Sequence, residues 1–224
     1  MNYLVIDILI LLGPLLFTFE PRIRYYRKLP AVAFAIGTAG GAYIIWDAIA
    51  TARGDWAFAD SYVVGIRLLD LPLEEILFFM VVPYSCLFIY EALKLVVRER
   101  NLPVPAPLYV GLILLLVLLA VIYHRQDYTI LALSSLAAFL LLALIGAREV
   151  LASARFWLYM LLSYMGFLIF NYLLTSIPIV TYADHAIWGI RITTIPVEDF
   201  LYNFSMLGFY FVAYRWAMHR LSLD

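Results

Sequence analysis

Two adjacent carboxylates stand behind a proline at the start of an apolar run, Pro72-Leu73-Glu74-Glu75-Ile76-Leu77. The arrangement returns 124 residues later as Pro196-Val197-Glu198-Asp199-Phe200-Leu201. Carboxyls brought close in a medium of low dielectric cannot both ionise easily, and loss of hydration also favours the neutral form. Such a pair holds one proton ready for a weak base and keeps an ionised neighbour to take one back. Proline followed by acids is also an ordinary helix start, because proline suits the first position and carboxylates favour the positive end of the helix dipole. Capping accounts for one acid of each pair. The other, turned ~100° around the helix, faces a neighbouring element.

The correspondence extends past the acids. Gly65-Ile66-Arg67 returns as Gly189-Ile190-Arg191, and between positions 65 and 79 six of fifteen residues are identical with no gap. Trp46-Asp47 falls on Phe170-Asn171, Phe78-Phe79 on Tyr202-Asn203, Thr51 on Thr175 and Tyr90 on Tyr214. This is an internal duplication. Asn203 in place of a second Phe gives the two halves unequal roles.

The elements that position these residues are membrane helices. The chain of 224 residues is 66% hydrophobic and 14% charged, with a mean hydropathy of +0.95, too apolar for an ordinary soluble domain. Seven apolar runs are long enough for ~30 Å of hydrocarbon: 3–19, 31–50, 73–97, 107–123, 128–147, 155–175 and 196–219. No alternating barrel pattern competes with helices. Eleven basic residues lie on one side: Arg22, Arg24, Arg27, Lys28, Lys94, Arg98, Arg100, Arg148, Arg155, Arg215 and Arg220. Only Arg53, Arg67, Arg125 and Arg191 lie on the other. The N-terminus is therefore predicted outside and the C-terminus in the cytoplasm.

Two three-span units joined directly would be inverted, and a fourth span between them restores the same orientation. The predicted fold is an all-α integral membrane protein of seven transmembrane helices, two parallel three-helix repeats joined by a linking helix. Its parts are residues 1–100, 101–127 and 128–224. Both acidic pairs then enter from the outer face at one depth and converge across the pseudo-two-fold axis. Asp7, Asp47 and Asn171 fall in the same layer, and ionisable groups there cost ~2.5–3.5 kcal/mol each, so they need a reason.

Arg67 and Arg191 are candidates to hold one carboxylate charged. Phe78, Phe79, Tyr84, Tyr202, Phe204, Trp46, Trp56, Trp188 and Phe170 surround the layer, and aromatic faces turned to the acids stabilise a cation. Gly37 and Gly41 have the spacing of close helix packing.

Other classes fall away. His124, His185 and His219 have no metal-ligand spacing, Cys86 has no partner for a disulfide, and no dinucleotide fingerprint is present. A net charge of −1 gives no field for nucleic acid. The first apolar run lacks a basic leader and a cleavage site and reads as a retained span. A retinal protein needs a Schiff-base lysine in the last span, whereas Lys28 and Lys94 are the only lysines.

The Pro-x-Glu-Glu/Asp motif in each half, at Pro72, Glu74, Glu75 and at Pro196, Glu198, Asp199, resembles the membrane-integral lycopene cyclases in their fused two-half form. The resemblance covers essentially the whole chain. It implies redox-neutral cyclisation of the ψ-ends of lycopene to β-ionone rings without a cofactor. Glu74 or Glu198 is then expected as acid, with Glu75 and Asp199 as base or tuning partner. Phe78, Phe79, Tyr202, Asn203, Asp47, Asn171, Arg67 and Arg191 are expected around the substrate. The expected partners are lycopene, its monocyclic intermediate, membrane lipid and other enzymes of the carotenoid pathway. A related end-group enzyme, a C50 cyclase or hydratase, and a proton-coupled transporter stay open as alternatives.

Overall fold

The computed structural model describes residues 2–223, and helices cover each of the seven apolar runs. Helix α1 spans Tyr3–Leu16, while α2 (Leu29–Ala35), a π-helical stretch Ile36–Gly40 and α3 (Gly41–Arg53) form one continuous rod. Then follow α4 (Leu73–Val96), α5 (Ala106–Ile122), α6 (Asp127–Gly146), the short α7 (Arg148–Ala152), α8 (Ala154–Ser176) and α9 (Val197–Arg220). Among the described residues four helical stretches are long and apolar enough to cross a membrane: Tyr25–Arg53, which is the rod with the 3-10 turn before it, α4, α6 and α8. At 14 and 17 residues α1 and α5 are apolar but shorter. Helix α9 has 24 residues and carries both motif acids with Arg215, His219 and Arg220.

Helices α4 and α9 form the middle of the bundle. Helix α4 packs between α1 and α8, and α9 packs between α6 and the rod, while α5 leans on α6. The outward sides of these helices are apolar, with Leu114, Leu161 and Ile169 exposed. The large buried side chains Tyr90, Phe139, Phe156, Tyr159, Phe211 and Tyr214 fill the interior. Tyr90 and Tyr214, at equivalent positions, both lie in this core.

Close approach of the rod to α9 falls on Gly40, where an added Cβ would stand 2.5 Å from the Tyr210 hydroxyl. At Gly37 and Gly41, whose spacing suggested close packing, an added Cβ would meet nothing within 4 Å. The π-helical stretch shifts the contact onto the glycine between them.

The bundle is not helical throughout. Short antiparallel strands occupy the segments before the two acidic helices. Strand β2 (Arg67–Leu68) pairs with β3 (Leu71–Pro72), and β5 (Arg191–Ile192) with β6 (Ile195–Pro196). The repeated Gly-Ile-Arg is the scaffold of these hairpins. Gly65 and Gly189 sit at φ of 91° and 87°, a backbone that favours glycine. Arg67 and Arg191 close the hairpins by donating to the carbonyls of Asp70 (2.9 Å) and Thr194 (3.0 Å).

A third ribbon joins the halves. Strand β1 (Trp56–Phe58) pairs with β4 (Val180–Tyr182), with Trp56 opposite Tyr182, Ala57 opposite Thr181 and Phe58 opposite Val180. Residues 56, 57 and 58 correspond at the 124-residue offset to 180, 181 and 182, so the pairing is symmetric about the Ala57–Thr181 pair.

At the other end of the bundle Glu91 is buried among charges. It accepts from Lys28, from Lys94 (2.9 Å) and from the Tyr214 hydroxyl (2.9 Å). These bonds tie the turn before α2 to α4 and α9. Hydrogen bonds to a buried charge contribute more than neutral ones. Lys28→Met is therefore expected to cost about 1.5–3 kcal/mol, read as a lower thermal midpoint in detergent with turnover unchanged.

Candidate active site

A cavity of about 480 Å³ lies between the two halves. Helices α1, α4, α8 and α9 line it, and the β1–β4 ribbon covers one end through Trp56, Phe58, Val180 and Tyr182. At that end the lining includes Glu75, Asp199, Asp47 and Asn171, with Phe78, Phe79, Tyr202 and Asn203 beside them. No lysine, arginine or histidine lines it among the described residues.

The two acids of each motif have separate surroundings. Glu74 Oε1 accepts the backbone N–H of Val64 at 2.6 Å, and Glu198 Oε1 accepts the backbone N–H of Trp188 at 2.6 Å. Each donor lies ten residues before its acceptor, so the first acid of each pair pins the preceding loop onto the start of its helix. Glu198 also accepts from the Thr129 hydroxyl at 2.6 Å. Neither side chain lines the cavity. The second oxygens of Glu74 and Glu198, and both oxygens of Asp7, are buried without a hydrogen-bond partner. Glu74→Ala leaves the Val64 N–H unsatisfied, so a loss of about 1–3 kcal/mol is expected in thermal unfolding of the purified protein.

Glu75 and Asp199 turn inward and differ in their neighbours. Glu75 Oε2 accepts from the Tyr3 hydroxyl at 2.6 Å. Its carboxyl adjoins that of Asp47, whose Oδ2 is buried without a hydrogen-bond partner. Asp47 Oδ1 in turn accepts from Trp56 Nε1 at 2.7 Å. Asp199 has no acid in the position of Asp47, because the equivalent residue is Asn171. The Asn171 amide donates to Asp199 Oδ2 at 2.8 Å, the Tyr182 hydroxyl to the same oxygen at 2.9 Å, and the Tyr128 hydroxyl to Oδ1 at 2.5 Å. Burial, and then the facing Asp199 carboxylate, push the Tyr182 hydroxyl well above the usual phenol range, so it serves as a donor.

The aromatic wall around the acids is continuous. Tyr128 stacks on Tyr182 with ring centroids 5.6 Å apart, Trp56 meets Tyr128 edge-on at 5.0 Å, and Tyr202 lies 5.9 Å from Tyr128. Arg67 and Arg191 stand outside this wall. Arg67 meets Asp60 at 2.6 Å, and Arg191 lies 5.9 Å over the Tyr182 ring.

On the opposite side of α9 is a second groove, lined by Thr38, Ala39, Ala42, Tyr43 and Trp46. These positions correspond at the 124-residue offset to Leu162, Ser163, Gly166, Phe167 and Phe170, all of which line the cavity. The second groove contains no carboxylate. Tyr43 separates the two spaces: its ring meets Tyr202 at 5.0 Å, and its hydroxyl bonds Ser135 (2.8 Å) and Ser205 (3.2 Å).

Sequence reasoning passed over Tyr3, Tyr128 and Tyr182. Tyr3 and Tyr128 play matching parts but lie 125 residues apart, one off the repeat register, so an ungapped comparison hides them. Tyr182 is the repeat partner of Phe58, and only the fold brings its hydroxyl to Asp199.

The family model described as "Lycopene cyclase" matches residues 1–93 and 126–217. Among curated proteins, 71 residues are 37% identical to the bifunctional lycopene cyclase/phytoene synthase of Phaeosphaeria nodorum, covering 31% of this chain and 12% of that protein. The protein of the same name from Leptosphaeria maculans is 37% identical over 63 residues, 28% of this chain and 11% of its own length. That from Pyrenophora tritici-repentis is 29% identical over 72 residues, 31% of this chain and 12% of its own length. These matches thus take in a small part of each relative. No solved structure matches significantly. Every residue that lines the cavity falls within the two segments matched by the family model, and the chain belongs to the lycopene cyclase family.

Proposed function

We propose that the chain is an integral membrane lycopene β-cyclase that closes the ψ-ends of lycopene to β-ionone rings, through a monocyclic intermediate, by proton transfer alone. The observation that carries this reading is the unequal setting of the two inward carboxyls. Glu75 and Asp47 adjoin in a buried space that no lysine, arginine or histidine lines among the described residues, so the pair keeps one proton between its members. Asp199 accepts from three neutral donors, an amide and two hydroxyls, and has no second carboxyl in the place that Asp47 takes beside Glu75. One end of the cavity thus holds an acid and a base in separate halves.

The chemistry balances on these groups. Glu75 gives its proton to the terminal C=C of the ψ-end, leaving a tertiary cation. The π-electrons of the next internal double bond in the ψ-end attack that carbon, closing the six-membered ring and moving the charge to a ring carbon. Asp199 takes the proton from the adjacent carbon, and a ring double bond forms. The proton returns from Asp199 to the Glu75–Asp47 pair before the next cycle, so no net charge is consumed. The faces of Tyr128, Tyr182 and Tyr202 are suited to a cation at this level. Glu74 and Glu198 hold the outer loops and act as positioning residues.

The proposed setting is a bilayer crossed seven times, with the N-terminus outside, the C-terminus in the cytoplasm and the acid end in the outer leaflet. Two parallel three-helix repeats, residues 1–100 and 128–224, are linked through 101–127. The symmetric β1–β4 pairing supports an axis along the membrane normal. Membrane lipid and the enzymes that make and use the polyene are the expected neighbours.

Expression in a lycopene-accumulating host tests the reading. Monocyclic and bicyclic products on chromatography are expected, with the colour moving from red to orange. Unchanged lycopene beside well-expressed protein overturns it.

A further inference from the structure

The cavity has its acids at one end and extends far beyond them. Along α4 its lining runs from Glu75 to Ile89 and along α1 from Tyr3 to Phe17, ~21 Å in each case at 1.5 Å per residue. A ψ-end bound among the carboxyls leaves the rest of the chain nowhere to lie in the protein except along this slot. Two glycines border it. Gly13 lies ten residues along α1 from Tyr3, ~15 Å from the acid level, and Gly166 lies five residues along α8 from Asn171, ~7.5 Å from it. A Cβ built on either glycine meets no atom within 4 Å. The space next to each Cβ position is therefore open. Helices α1 and α8 belong to different halves, and at Gly13 and Phe17 the border of the slot is exposed, which opens it sideways to lipid.

We propose that Gly13 and Gly166 determine specificity for a long polyene, by keeping open the slot in which its unreacted arm lies along the membrane normal. The proposal rests on the cyclase reading and adds the orientation of the substrate and the residues that gauge its length. The two glycines act at different depths, so blocking them excludes chains of different length.

The test compares lycopene with a short acyclic isoprenoid hydrocarbon of fifteen to twenty carbons that bears a single ψ-end. With Gly13→Phe, turnover of lycopene is expected to fall at least tenfold while the short compound is cyclised within about twofold of the parent rate. Gly166→Phe, nearer the acids, is expected to reduce both. Gly13→Ala adds only the Cβ and is expected to leave both substrates unaffected, which separates filling of the slot from any requirement for glycine in the helix. Gly13→Phe that cyclises lycopene at the parent rate overturns the proposal. So does equal loss of both substrates in Gly13→Phe protein that melts at the parent temperature. A parent chain that cyclises neither compound refutes the cyclase reading itself, and this inference with it.

Discussion

Glu75→Gln is expected to lower lycopene cyclisation by at least a hundredfold, whereas Glu74→Gln lowers it only a few-fold. The first change keeps the size of the side chain and its bond to Tyr3, but removes the proton to be transferred; general acid catalysis commonly contributes about 10²–10⁴-fold. The second keeps an oxygen that accepts from the Val64 backbone, so the loop stays pinned and the cavity lining is unchanged. Both variants are compared by initial rates in membranes of equal protein content. Equal losses in the two would return the proton to the first acid of the motif. The pair of variants matters because the motif alone favours Glu74 or Glu198 as the donor, while the hydrogen bonds around these residues favour the second acid of each pair.

The second large effect comes from an exchange beside the inward carboxyls that makes the halves unlike. Asp47→Asn replaces an acid beside Glu75 with an amide, so the proton has no carboxylate to be shared with and no ready route of return. A loss of about 10–100-fold is expected, at the lower end of what a positioned proton-transfer group contributes. Asn171→Asp is the converse change. It removes a donor to Asp199 and sets a second acid against it, so the base competes for a proton with its new neighbour, and a similar loss is expected. Rates and melting temperatures measured together separate these chemical effects from unfolding. Parent rates in both variants would mean that the Asp/Asn difference does not set the roles of the two carboxyls.

Much of this arrangement could be read from the residues. The apolar runs gave helix ends within three residues of those found, because hydrophobic length is a strong signal when it is this long. The duplication pointed to Glu74, Glu75, Glu198, Asp199, Asp7, Asp47 and Asn171 as one layer; Glu75, Asp199, Asp47 and Asn171 line one end of the cavity, and Glu74, Glu198 and Asp7 do not. What escaped were contacts made by loops. The Tyr182 hydroxyl reaches Asp199 because the segment between α8 and α9 folds back over the helix starts, and such segments have no periodicity to betray their path, while Tyr128 reaches it from the first turn of α6. The Gly-Ile-Arg repeat was visible, but its arginines carry the charge that draws attention away from hairpin closure. Close packing at Gly40 was missed for another reason: a π-helical stretch rotates the helix face and defeats spacing rules built on 3.6 residues per turn.

The β1–β4 ribbon over the acids has a consequence for what leaves the cavity. Each half supplies one strand, so neither half alone can roof the space, and the roof is built of Trp56, Phe58, Val180 and Tyr182. On the proposed reaction, a tertiary cation formed beneath it loses a proton to Asp199 and ends as an olefin. On that reading three pairs of residues set how far water reaches the cation, and so whether the same protonation yields a ring or, with the roof ajar, an alcohol.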